Sequence, residues 1–236
     1  MQTVSLVLLP GLDGTGRLFE PLLGALPDWI APLVVSYPTD RSLGYAQLLP
    51  VVTGQLPVDT DFFILGESFS GPLAVMGAAE KPNGLRGIIF CGSFVKKPFT
   101  VVPAWLSVFS VTPIYQLWPA TIRLRAMLRG AEYRPLADMA LDAIGSVDPG
   151  VIARRVKAIL NVDVESTFAK LQLPMLYLAG NKDRLIRRHN VVAMQSVRPD
   201  LQVGEIDTRH FILQLEPEKS AAAIEGFIRT TLSNRD

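Results

Sequence analysis

The chain has 236 residues, enough for one large domain or for a core carrying a subdomain, and too few for a second independent domain. Its 23 basic and 22 acidic residues are spread along the chain and leave a net charge of +1, which excludes the electrostatic footprint of a nucleic-acid binder. The single cysteine excludes an intrachain disulfide framework and a multi-cysteine zinc site; 49% hydrophobic residues and a mean hydropathy of +0.29 demand segments buried on more than one side, as in a parallel sheet covered by helices.

The apolar start, Met1 to Pro10, has no basic segment, and Pro10-Gly11 follows too early for an export signal. It reads as a first strand, Ser5 to Leu9, and the cytoplasm is the expected location. The loop Leu9-Pro10-Gly11-Leu12-Asp13-Gly14-Thr15-Gly16 comes next. Its glycines at 11, 14 and 16 stand in the wrong order for a dinucleotide-binding loop, and no Gly-Lys-Ser/Thr follows, which disfavours a nucleotide-dependent oxidoreductase. Asp13 and Thr15 carry side chains able to order this loop by local hydrogen bonds. A helix over Leu18 to Leu26, a strand over Leu33 to Tyr37, a helix over Tyr45 to Leu56 and a strand over Phe62 to Leu65 follow.

That strand runs into Gly66-Glu67-Ser68-Phe69-Ser70-Gly71, and a helix is predicted from Pro72 to Ala79. Ser68 therefore falls on a strand-to-helix turn lined with small residues, which such a turn needs because strand and helix approach closely. The turn leaves the hydroxyl exposed beside a helix N-terminus, where backbone N–H groups, beginning with Phe69, are able to stabilise an oxyanion. The next strand, Gly87 to Cys91, places the one cysteine in an apolar run as a core thiol.

About 80 residues then separate Cys91 from the next strand at Met175, far more than a loop and one helix need, so an inserted helical subdomain is expected. Pro98 through Ile122 contains no charged residue and holds Trp105, Phe109, Tyr115 and Trp118. These four either pack the insertion onto the core or line an apolar lid over a substrate pocket. Pro103 and Pro113 argue against a membrane span. Asp148-Pro149 reads as an N-cap with proline at the first helical position, ahead of a helix over Val151 to Leu160. The pairs Arg154-Arg155 and Arg187-Arg188 read as solvated helix faces.

The chain closes with a strand over Met175 to Ala179, a helix over Val191 to Val197, a strand over Leu201 to Ile206 and a helix over Pro217 to Leu232. Alternating strands and helices imply right-handed crossovers and a parallel sheet. A serine hydroxyl needs a base, and only two histidines are present. His189 belongs to a basic helix and reads as a surface residue, whereas His210 follows the last strand by a short turn that brings it to the edge where Ser68 emerges. Asp183, just beyond the strand Met175 to Ala179, reaches the same edge and suits the role of the acid that orients the base; Asp207 is too close to His210 in sequence, and Asp163 lies at the exit of the insertion.

On the Gly-x-Ser-x elbow, the order Ser68, Asp183, His210 and the loop after the first strand, the sequence resembles the α/β-hydrolase superfamily over nearly its whole length. The family elbow usually ends in glycine where this chain has Ser70, and its first loop usually carries a His-Gly pair where this chain has Pro10-Gly11. The wording Leu-Pro-Gly-Leu-Asp-Gly-Thr-Gly also resembles the plastid esterase/acyltransferase branch that handles phytyl and other fatty esters. The resemblance implies an α/β fold with a mostly parallel sheet of about six strands flanked by helices, reduced in its N-terminal part. Residues 1–95 and 174–236 would form the core and 96–173 a helical cap. It further implies a Leu12 N–H beside that of Phe69 in an oxyanion hole and ester cleavage through an acyl-enzyme on Ser68. The expected substrate is a small ester with an apolar acyl part; no metal, organic cofactor, nucleic acid or stable membrane insertion is expected. Acyl transfer or thioester cleavage by the same triad, and a catalytically idle binding protein on the same fold, are the alternatives.

Overall fold

A computed structural model of the protein describes residues 3–98 and 133–234. Six strands form one sheet: β1 (Val4–Leu9), β2 (Ile30–Val34), β3 (Phe62–Glu67), β4 (Leu85–Cys91), β5 (Met175–Gly180) and β6 (Gln202–Ile206). Their order is β2-β1-β3-β4-β5-β6 and every pairing is parallel. All six C-terminal ends therefore lie along one edge. The chain leaves β1 toward β2 and crosses back to β3, so the connections diverge between β1 and β3, where an open parallel sheet forms its crevice.

Nine helices surround the sheet among the described residues: α1 (Glu20–Ala25), α2 (Tyr45–Thr53), α3 (Gly71–Ala79), α4 (Arg134–Gly145), α5 (Pro149–Asn161), α6 (Glu165–Lys170), α7 (Arg188–Val197), α8 (Ile212–Leu215) and α9 (Pro217–Ser233). None of them is long and apolar enough to cross a membrane. The strands are apolar at successive positions because both faces are covered, and their period of two sorts the side chains. Val7, Leu9, Phe62 and Ile64 enter a core with residues of α2, α3, α6 and α7, while Leu6, Leu8, Phe63 and Leu65 enter a second core with α1, α8 and α9. Cys91 is buried in the second core, as expected of a core thiol.

Two elements depart from the expectation. β2 begins at Ile30 rather than Leu33 and contains Pro32, which an edge strand paired only with β1 tolerates. Val35 and Tyr37 lie past its end; Val35 N–H still donates to Leu8 C=O of β1 at 3.0 Å, and both side chains are buried in the first core. The helix expected from Leu18 begins instead as a 3-10 turn, Arg17–Phe19, before α1.

The segment between β4 and β5 leaves and returns at one point. Val164 N–H donates to Val95 C=O (2.8 Å) and Lys97 N–H to Val162 C=O (3.0 Å), a short antiparallel contact. Immediately after the return, α6 drops Phe168 into the first core, edge-on to Phe90 at 5.7 Å. α4 sets Leu136, Ala137 and Ala140 against Leu18 and Phe211. α5 starts as its sequence predicts, with the Asp148 carboxylate accepting from Gly150 N–H at 2.7 Å and Pro149 at the first position. Val151 and Ile152 on α5 pack on Leu12 of the first loop. Trp105, Phe109, Tyr115 and Trp118 lie outside the described residues.

α9 closes the second core with Ala221, Ile224, Phe227 and Ile228, Phe227 lying edge-on to Phe63 of β3 at 5.9 Å. Phe227→Ala is expected to cost about 3–5 kcal/mol in urea unfolding; a loss under about 1 kcal/mol would show that α9 does not anchor this face.

Candidate active site

At the end of β3 the backbone of Ser68 turns into the left-handed region, φ 47°, a strained state for a residue with a side chain. A single 3-10 turn, Ser68–Ser70, then leads into α3, with Pro72 early in the helix. The turn is held from below: Ser93 Oγ donates to Ser68 C=O at 2.5 Å. Glycine is required at 71, because a Cβ there would sit 2.1 Å from Ser93 Oγ and 2.9 Å from Phe94 C=O. Phe69 is fixed as well, its carbonyl accepting from Tyr45 O–H at 2.9 Å and its ring stacked on that of Tyr45 at 4.7 Å.

β5 and β6 bring the other two candidates to the same edge. Ser68 Oγ lies 3.0 Å from His210 Nε2, and His210 Nδ1 lies 2.8 Å from Asp183 Oδ2. A carboxylate only accepts, so the neutral ring carries its proton on Nδ1 and offers Nε2 to the serine hydroxyl. The Asp183 carboxylate is fixed in this orientation by its own loop. Its Oδ1 accepts from the N–H groups of Leu185 (2.8 Å) and Ile186 (2.9 Å), which leaves Oδ2 for the imidazole. The Asp183 side chain is 2% exposed and that of His210 10%. The other sequence candidates stand elsewhere. Asp207 is exposed and paired with Lys182 at 2.8 Å, Asp163 pairs with Lys96 at 3.2 Å, and His189 is exposed, against Pro98 C=O.

The loop after β1 packs beside the elbow. Asp13 and Thr15 order it locally, the Asp13 carboxylate accepting from both the N–H and the hydroxyl of Thr15. The elbow's departure from glycine has a structural use: Ser70 Oγ donates to Pro10 C=O and accepts from Tyr37 O–H at 2.7 Å. Burial raises the Tyr37 phenol well above its ordinary range, which keeps it a donor.

Four contributors were not legible as such in the sequence: Tyr37, Glu67, Ser70 and Arg155. Arg155 corrects the expectation of a solvated arginine pair, being 1% exposed and turned inward; its position four residues after the apolar Val151, on the same helix face, is the signal that pointed there. Arg187 and Arg188 are exposed as expected. Among the described residues no group of three or more His, Cys, Asp or Glu side chains is placed to hold a metal. A cavity of about 400 Å³ lined by Tyr177, Asn181, Ile186 and Val191 meets the three candidates only at Asp183; neither Ser68 nor His210 lines it.

No protein-family model matches the sequence, and no curated protein matches it. Solved structures do. The chain superimposes on a lipase-esterase related protein from Clostridium acetobutylicum with a TM-score of 0.77 and 14% identity, over 96% of this chain and 95% of the other. It matches a bromoperoxidase from Bacillus anthracis at 0.80 and 14%, over 97% and 92%. An esterase from Exiguobacterium antarcticum gives 0.79 and 14%, again over 97% and 92%. The protein has the α/β-hydrolase fold. At such identities the likeness speaks for the fold alone, and the chemistry is read from the site.

Glu67, just before Ser68, is buried and accepts from Gln214 Nε2 at 2.8 Å; burial pushes its carboxyl up to about 7. The folded protein thus holds a proton between pH 4.5, the ordinary value, and about 7, where the unfolded chain has lost it. The stabilisation is fully present below the lower value, falls as pH rises through this window and levels off above it, a span of roughly 3 kcal/mol. In Glu67→Gln the decline is expected to vanish, measured as the wild-type minus variant difference in urea unfolding at pH 4.5 and 8.0. A difference that does not change with pH would show that Glu67 titrates normally.

Proposed function

We propose that this protein is a serine hydrolase that cleaves carboxylic esters through an acyl-enzyme on Ser68. One observation carries the reading: the unbroken chain from Ser68 Oγ to His210 Nε2 (3.0 Å) and from His210 Nδ1 to Asp183 Oδ2 (2.8 Å), built on a left-handed elbow. His210 takes the hydroxyl proton as Ser68 Oγ attacks the ester carbonyl, and Asp183 holds the ring and stabilises the imidazolium. The amides of Leu12 and Phe69 receive the oxyanion. Nε2–H then protonates the leaving alcohol, and the same nitrogen activates the water that releases the acid.

Residues 96–173 serve in this reading as a cap on the core formed by 1–95 and 174–236. What supports it is the return of the chain at Val162–Val164 to its point of departure and the seating of α4 and α5 beside the first loop and Phe211. Selection of an apolar acyl chain rests on the charge-free run from Pro98 to Ile122 with Trp105, Phe109, Tyr115 and Trp118.

Ser68→Ala is expected to lower kcat on short p-nitrophenyl esters about 10⁴-fold or more, and Asp183→Asn to cost about 10⁴-fold. Asp207→Asn should stay within about twofold, as expected of an exposed side chain outside the triad. Near wild-type turnover in Ser68→Ala overturns the assignment; a large loss in Asp207→Asn with none in Asp183→Asn replaces the acid.

A further inference from the structure

α5 belongs to the segment between β4 and β5, yet its Arg155 reaches into the loop that follows β1. The guanidinium forks over three backbone carbonyls: Nη1 donates to Leu12 C=O (3.0 Å) and Asp13 C=O (2.6 Å), and Nη2 donates to Pro38 C=O (2.9 Å). The charge is buried, and no carboxylate makes an ion pair with it among the described residues. Carbonyl dipoles and the charge of the nearby buried Asp13 carboxylate compensate it, with Tyr37 supplying a ring face 5.6 Å from the guanidinium carbon. Burying a charge is costly even after relaxation, and an apolar side chain of similar volume would pack a helix at least as well. Packing alone therefore does not account for an arginine here.

The groups it binds do. Gly11 to Gly14 form a tight turn, closed by Gly14 N–H donating to Gly11 C=O at 3.1 Å. In such a turn the central peptide, here Leu12–Asp13 with Leu12 C=O and Asp13 N–H, is the one able to flip between alternative turn types, and it adjoins the Gly11–Leu12 peptide that carries Leu12 N–H. Arg155 binds the carbonyl of that peptide and of the next. Ser70 holds Pro10 C=O, and Tyr37 N–H holds Gly14 C=O at 2.7 Å. Five successive carbonyls, from Pro10 to Gly14, are thereby engaged, while Leu12 N–H has no acceptor among the described residues. The loop is fitted to the guanidinium: Gly14 has φ +70°, and a Cβ on it would come within 2.5 Å of Arg155 Nη1.

We infer that Arg155 is a positioning residue for the oxyanion hole, locking the turn Gly11–Gly14 from α5 so that Leu12 N–H stays aimed at the developing negative charge. Part of the hole's rigidity is then supplied by the insertion, which acts on the reaction as well as covering it. The inference rests on the esterase reading of Ser68.

Arg155→Met removes the fork, and Arg155→Lys keeps a charge but offers a single nitrogen in place of the planar guanidinium fork. Both are to be compared with wild type and with Lys157→Met, an exposed position on the same helix. Turnover of a short p-nitrophenyl ester and inhibition by an aryl trifluoromethyl ketone, whose serine adduct places an oxyanion in the hole, are measured alongside thermal unfolding. Expected are a fall in kcat of about 10²-fold with KM changed less than about threefold, a parallel loss of ketone affinity, and Lys157→Met unchanged. Folded Arg155→Met, or folded Arg155→Lys should Met prevent folding, overturns the inference if kcat and ketone affinity stay within twofold of wild type, or if only KM moves. Wild-type protein that neither hydrolyses the ester nor binds the ketone overturns the esterase reading itself, a result distinct from activity that survives without Arg155.

Discussion

The left-handed backbone at Ser68 forces β3 and α3 to approach so closely that the rest of the site has few places to stand. With glycine at 71 and Ser93 braced against the turn, the serine hydroxyl projects past the sheet edge at the point where the connections diverge. Because all six strands are parallel, the ends of β1, β5 and β6 arrive at that same edge, and the loops after β5 and β6 bring Asp183 and His210 to Ser68. Asp183 is aimed by the local amides of Leu185 and Ile186, so its orientation is preset by its own loop.

The strain and the buried polarity around this point must be offset elsewhere. Two well-sorted cores flank the sheet, and the polar groups inside them are tied together: Tyr37 to Ser70, Ser70 to Pro10, Gln214 to Glu67, Arg155 to Leu12, Asp13 and Pro38. A low-dielectric surrounding strengthens each of these bonds and makes the loss of one partner costly. Such a network holds the first loop and the elbow as one unit, which suits chemistry that depends on donors fixed before charge develops.

Much of this was legible in the sequence for a definite reason. Strands buried on both faces read as continuous apolar runs, so five of the six lay close to where they were expected, while Pro32 displaced the reading of β2. Ser68, Asp183 and His210 could be chosen because each follows a strand end, and topology alone then brings them together. Helical spacing from Val151 hinted that Arg155 turns inward, but the partners of Arg155 and Glu67 lie 143 and 147 positions away in the chain, and no local pattern names them. Ser70 looked like a mild departure from glycine; its use becomes visible only with Pro10 and Tyr37 beside it. The short helix α6 offers too little periodicity to be read ahead of the fold.

The covalent role of Ser68 is the claim on which the account turns, and mass spectrometry of the protein after reaction with a fluorophosphonate tests it most directly. One adduct per chain, mapped to the peptide carrying Ser68, absent from Ser68→Ala and formed far more slowly in His210→Gln, is the predicted result. Folded wild-type protein that stays unmodified, or an adduct on another residue with Ser68 untouched, would contradict it.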